Sequence, residues 1–298
     1  MKKFTTVILI LSLVCLVSGM ILCGVGIASG ANAAELAGLI KEGRYSFGWN
    51  SYDDDEDDTD IKNTEQTFQN ADIRSLEVDI DAGSLDILES WDNDIHVNVK
   101  ARNVTVRVTD NGGTLEIKGD STKRWWFARR LKCEIKLYLP ENKEWTEVDF
   151  ELGAGSLTSD LSQLNVCDLD ITVGAGEAVI SHDIYVQQKA SLEVDAGQIT
   201  MGNIVAEKVS VNVGVGEIGL TADVGEKLNA DCGVGELNLK LTGSMTDYNY
   251  KVDCGLGEVR IGTETMTSLG NDRHINHRAA KDVEIDCGVG SVSVSFEE

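Results

Sequence analysis

The chain has 298 residues, with 26 Lys and Arg against 50 Asp and Glu, a net charge of −24 and a sequence pI near 4.4. That field repels polyanions and excludes nucleic acid or an anionic bilayer as a global partner. One proline, 6% aromatics and 30 glycines point to strands with an aliphatic interior, because proline cannot donate to an interior ladder.

At the N-terminus, Lys2 and Lys3 precede the uncharged segment 7–27. As a helix it spans about 31 Å, enough to cross a bilayer. The cations ahead of this segment place the remainder outside the cytoplasm. The expectation is a single-pass bacterial membrane protein with an extracytoplasmic C-terminal domain. The other reading is a cleaved signal ending at Ala31-Asn32-Ala33, which would make the chain secreted. Gly26 and Gly30 form a G-x-x-x-G spacing that fits helix pairing or ordinary small residues. The unbroken acidic run from Asp53 to Asp58 repels itself and extends a tether. It lacks the glycine and terminal glutamate of an EF-hand loop and so reads as a solvated linker, with a calcium role as the other reading. The expected organisation is an anchor or signal over 1–33, an acidic linker over 34–70, an irregular β region with a hairpin over 71–147, and β-solenoid repeats over 148–298.

Within 71–147 the residues alternate apolar and polar, as in Ile95-His96-Val97-Asn98-Val99, which is the period of a strand. Asn111-Gly112-Gly113 predicts a hairpin joining Val104–Val108 to Leu115–Ile117. Next comes a basic aromatic cluster, Lys123-Arg124-Trp125-Trp126-Phe127-Ala128-Arg129-Arg130. It suits lipid headgroups, anionic wall polymers or sugar faces, or its rings plug the apolar end of a solenoid. The candidate binding residues here are Arg124, Trp125, Trp126, Phe127, Arg129 and Arg130.

From Asp81 onward a small residue and a glycine recur between strands. The corners are Asp81-Ala82-Gly83, Gly153-Ala154-Gly155, Gly174-Ala175-Gly176, Asp195-Ala196-Gly197, Gly214-Val215-Gly216, Gly233-Val234-Gly235, Gly255-Leu256-Gly257 and Gly288-Val289-Gly290. The second glycines from Gly155 to Gly257 keep a nearly even spacing, and only the step from Gly257 to Gly290 is much longer. A repeat period of about 20 predicts an all-β parallel solenoid. Glycine is expected at the corner for dihedrals that a Cβ forbids. Cys232, Cys254 and Cys287 hold a slot that other repeats fill with Ile, Leu or Val, and so read as buried thiols, with a disulfide or metal role as the other reading. Stacking predicts two acidic ladders, Glu217-Glu236-Glu258 and Asp231-Asp253-Asp286, either solvated or weakly cation-binding. A second basic island, Arg273, His274, His277 and Arg278, lies in the longest interval and is a candidate binding loop.

Catalytic patterns are missing from the sequence: no phosphate loop, no G-x-S-x-G elbow and no zincin helix. No cofactor or metal site is predicted. The run Ile135-Lys136-Leu137-Tyr138-Leu139-Pro140, with Val148-Asp149-Phe150-Glu151-Leu152-Gly153-Ala154-Gly155-Ser156-Leu157 and the later V-G-V-G-E corners, resembles the bacterial "putative adhesin" family of β-strand repeat proteins. The resemblance covers Ile73 to Phe296. It implies a membrane-anchored envelope protein of a Gram-positive bacterium, with relatives encoded beside envelope stress systems, and no catalytic residues to carry over. The expected function is a non-enzymatic interaction module meeting an envelope polymer, glycan or protein. The alternative is a polysaccharide-processing enzyme on a β-helix scaffold.

Overall fold

The computed structural model describes residues 61–121, 131–266 and 273–297. The expected anchor, the acidic run and the 123–130 cluster lie outside them. Among the described residues the protein is all-β, with one short 3-10 turn, Met245–Asp247, between strands.

Each repeat forms one coil because its apolar positions fall at every second residue on either side of a glycine corner. The first strands are β1 (Lys62–Phe68), β2 (Ser75–Glu89), β3 (Ile95–Arg102), β4 (Val104–Asp110), β5 (Thr114–Ser121) and β6 (Lys132–Leu139). The coils continue through β7 (Glu144–Asp160), β8 (Gln163–Ile180), β9 (Asp183–Val194), β10 (Gln198–Val213), β11 (Glu217–Cys232) and β12 (Glu236–Thr242). β2, β7 and β8 pair in parallel through their corners, Ala82 opposite Ala154 and Ala154 opposite Ala175. Stacking continues in parallel through β9, β10, β11 and β12. One inward column runs Val78, Phe150, Ile171, Leu192, Val211 and Ala230, apolar and buried throughout. Each fully buried Val, Leu or Ile contributes about 1.5–3 kcal/mol.

Two stretches differ from the sequence expectation. Residues 62–68, counted with the linker, form β1, an antiparallel edge on β3, with Phe68 packed against the core. β2 lies inside the stretch expected to be irregular yet makes a full coil with β7. The expected hairpin is present as antiparallel β4 and β5, with Asp110 opposite Leu115.

The last coil does not stack last. β13 (Tyr248–Cys254) and β14 (Glu258–Ile261) follow β12 in sequence, then β15 (Glu264–Met266), β16 (Arg273–Ile275), β17 (Lys281–Cys287) and β18 (Ser291–Glu297). β17 pairs in parallel with β11 on one side and β13 on the other, while β18 lies between β12 and β14. The C-terminal coil is therefore inserted between two coils that precede it. β15 and β16 run antiparallel along β14 and β13, blunting the edge. Tyr248 and Tyr250 are buried at this end, donating their hydroxyls to the Thr242 and Met245 carbonyls at 2.7 and 3.0 Å.

Insertion reorders both acidic ladders. The aspartates stack as Asp231, Asp286, Asp253, and the glutamate column reads Glu217, Glu236, Ser291, Glu258, so a serine separates the last two carboxylates. Cys232, Cys287 and Cys254 form a buried column of free thiols. Burial pushes the Cys287 thiol up to about 12, which leaves it protonated and inert.

The corner glycines are explained by crowding more than by dihedrals. A Cβ at Gly176 would meet the Gly155 carbonyl oxygen at 2.1 Å, and one at Gly235 would meet that of Gly216 at 2.1 Å. Only Gly155, at φ 144°, sits well inside the left-handed region; Gly83, at φ 159°, borders on extended backbone. From Gly155 to Gly290, a Cβ at the second glycine would meet the carbonyl oxygen of the neighbouring coil's second glycine at 1.7–2.4 Å.

Candidate functional site

Three surfaces and one buried pair carry the side chains with chemistry to offer. The buried pair is Ser159 and His182, at the end of β7 and just before β9. Ser159 Oγ lies 2.8 Å from His182 Nε2, and His182 Nδ1 lies 3.1 Å from the Asp183 carbonyl oxygen. A carbonyl only accepts, so Nδ1 carries the proton and Nε2 accepts from the serine hydroxyl. This resembles a nucleophile beside its base. However, both residues are buried, and the adjoining cavity of about 10 Å³ is walled by Ile87, Leu139, Phe150 and Ile171, which is room for about one water. The pair satisfies its own polarity inside the coil.

The first surface is the outer face ahead of the corners. Glu77, Asp149 and Asp170 stand opposite one another on consecutive coils. Burial, then the carboxylates of Asp170 and Glu77, push Asp149 up to about 6. Glu77 itself is paired with Lys118 Nζ at 2.8 Å. Further along, Glu284 accepts from Lys251 and, at 2.9 Å, from Lys227, which holds it down at about 2. Among the described residues no group of three or more His, Cys, Asp or Glu is arranged to hold a metal ion.

The second surface lies between β2 and β3. Trp91 is 67% exposed, yet its ring is held by stacking on His96 at 4.1 Å and by the edge of Tyr138 at 5.0 Å. His96 is fixed in turn by Asp92 at 2.9 Å and Thr67 Oγ1 at 3.0 Å. The result is a rigid aromatic platform in a turn rich in Asp, Asn and Ser. Sequence reasoning missed it. Its signal was a tryptophan in the polar turn Ser90-Trp91-Asp92-Asn93-Asp94, where no core position exists for it to fill.

The third surface is the corner edge. The middle residue of each corner points outward, and in spatial order the column reads Ala82, Ala154, Ala175, Ala196, Val215, Val234, Val289, Leu256. Backbone hydrogen bonds run through it, Val215 N to Asp195 O at 2.8 Å and Leu256 N to Gly288 O at 2.7 Å. Val215, Val234, Val289 and Leu256 are 66, 59, 57 and 69% exposed. They form a ridge between two glycine columns, with Asp231, Asp286 and Asp253 beyond one and Glu217, Glu236 and Glu258 beyond the other.

The candidates from sequence fall as follows. Arg124, Trp125, Trp126, Phe127, Arg129 and Arg130 lie outside the described residues; the flanking Ser121 and Leu131 are described. In the second island the side chains diverge. Arg273 faces Glu264 at 3.6 Å, and His274 is exposed on β16 opposite Lys251. His277 bonds through Nδ1 to the Tyr248 carbonyl at 2.8 Å and sets its ring edge-on to Tyr250. Arg278 turns at φ 60°, its N–H donating to Asn276 Oδ1. His277 and the Asn249 side chain, which bonds the backbone at His277 and Ala279, strap the long loop across the solenoid end.

A family comparison decides the assignment: the Toastrack DUF4097 family matches residues 73–295. The chain belongs to the Toastrack family. No curated protein matches it. Among solved structures, this Toastrack chain is similar to one described as a putative adhesin from Parabacteroides distasonis, at 16% identity and TM-score 0.48, covering 78% of this chain and 97% of that one. Another, from Parabacteroides merdae and described in the same words, has 15% identity and TM-score 0.38, covering 80% and 97%. A third, described as a putative cell adhesion protein from Clostridium sporogenes, has 13% identity and TM-score 0.30, covering 80% and 100%.

Proposed function

We propose that this Toastrack protein is a non-enzymatic interaction module of the bacterial envelope, tethered by its N-terminal segment with the solenoid outside the cytoplasm and serving an adhesin-like or envelope-stress role. The observation that carries this reading is the Trp91 platform: a large ring held rigid by His96 and Tyr138 while its outer side stays open. A preorganised aromatic face among polar groups suits the apolar face of a sugar ring, with little ordering cost on binding. The 124–130 cluster adds cations and further aromatics for an anionic envelope polymer.

The test uses the full-length chain with purified wall polymers and a glycan array, comparing wild type, Trp91→Ala and the double variant Trp125→Ala, Trp126→Ala. Retention of a polymer without product, weakened about tenfold or more by loss of an aromatic, is expected. Turnover of the polymer would transfer the assignment to the polysaccharide-enzyme alternative, and absence of any retention would end the reading.

A further inference from the structure

The corner ridge offers a binding surface of defined chemistry. Its four large aliphatic residues are the exposed large aliphatics among the described residues, and all stand in one column. Glycines on both sides leave the four side chains without lateral neighbours, and carboxylates stand beyond each glycine column. The complementary ligand is a short segment of aromatics flanked by cations. This chain contains one: Lys123 to Arg130, with four cations and three aromatics.

The described flanks show where that segment leaves the solenoid. Gly119 lies opposite Ile80 and Glu134 opposite Ser84, so the chain leaves β5 and re-enters at β6 on the edge where Ala82 stands, one coil beyond it. From there the ridge begins five coils away at Val215 and ends eight coils away at Leu256. At ~4.8 Å per coil that is about 24–38 Å. Half of a loop this long reaches about 17 Å from its base even when fully extended. The segment cannot cover the ridge of its own chain.

We propose that the ridge receives the 123–130 segment of a second copy, in an antiparallel homodimer formed along the corner edge. A two-fold axis midway along the edge sets each segment on the other copy's ridge and brings Ala154, Ala175 and Ala196 of the two copies together, where small side chains permit close approach. Such an interface is isologous and closed, as two-fold dimers are. Three aromatics, at about 150–250 Å² each, together with the alanine strip reach roughly the 800 Å² per partner of a standard interface. The net charge of each copy opposes association, but repulsion beyond about 8 Å is screened at physiological salt, while the cation and carboxylate pairs meet at short range. The dimer rests on the reading of the outer surface as an interaction surface and deepens it by naming one partner.

The experiment places the photo-crosslinking residue p-benzoylphenylalanine at position 234 of the full-length chain in its host membrane. An adduct of twice the chain mass, whose crosslinked peptide maps to 122–130, is expected. Arg129→Glu with Arg130→Glu should reduce that adduct about tenfold or more without changing the thermal midpoint, which shows the variant is folded. Trp91→Ala should leave it unchanged. Crosslinks to lipid, to another protein or within one copy, or no adduct at all, would overturn the dimer. Polymer retention is read separately, so loss of the adduct with retention intact rejects the dimer alone, and the reverse rejects the polymer reading alone.

Discussion

A Cβ at Gly176 would stand 2.1 Å from the Gly155 carbonyl oxygen, whereas one at Gly219, in the first residues of β11, meets nothing within 4 Å. The two glycines are indistinguishable by type and opposite in consequence. Gly176→Ala forces two coils apart and is expected to cost about 3 kcal/mol, the upper end for overpacking. Gly219→Ala is expected to stabilise by about 0.5–1 kcal/mol, because glycine in a strand loses more chain entropy on folding. Urea unfolding of both variants checks this, and equal midpoints would refute the crowding argument. The period of the corner glycines was legible in sequence, but the reason for it was not, because crowding depends on the coil underneath. Trp91 escaped notice for a related reason: only the fold brings His96 and Tyr138 beneath its ring.

At the level of the element, the instructive case is the coil made by β17 and β18. It fills the gap between the β11–β12 coil and the β13–β14 coil, and Glu284 on β17 is paired on both sides, to Lys227 and Lys251. These pairs are partly exposed and each contributes at most about 1 kcal/mol; the parallel ladders and buried columns do most of the joining. A chain truncated after Ala280 therefore loses more than its last coil, since β13 and β14 keep no parallel neighbour. Limited proteolysis is expected to cut that truncated chain throughout 243–280 while the coils before Thr242 stay protected. If 248–261 remained protected, the inserted arrangement would be wrong. The sequence did register this region, as the one long step between corner glycines, from Gly257 to Gly290. What it could not show is that the excess length carries the chain out over one coil position and back.

For the whole molecule, the outer carboxylate columns set the response to pH. Asp149, at about 6 against an ordinary 3.8, binds its proton more tightly folded than unfolded, so its cost at pH 7 is relieved as pH falls through 6 and is gone by about 4. Asp79, Asp170 and Asp231 are shifted the same way, each chiefly by burial. Glu284, at about 2 against 4.5, acts oppositely: its stabilisation is complete above 4.5 and is lost as pH falls toward 2. Thermal midpoints measured from pH 7 down to pH 3 are expected to rise to a maximum near pH ~5 and then fall. Asp149→Asn should raise the pH 7 midpoint by the equivalent of about 1 kcal/mol after solvent screening. A midpoint that falls steadily from pH 7 would contradict the burial of these carboxylates.

The alternation of apolar and polar residues and the recurring glycine corner determine an all-β stack of coils of nearly even length, because a strand has two faces and a corner this tight admits no side chain between coils. The same pattern fixed which residues face inward, including the three cysteines that substitute for aliphatics. The order of the coils was decided only in three dimensions. A parallel ladder accepts any strand whose register and inward column match, whatever its place in the chain, so β17 and β18 can lie between coils that precede them. That choice separates Glu236 from Glu258, brings Cys287 between Cys232 and Cys254, and sets Val289 beside Leu256 on the outer edge.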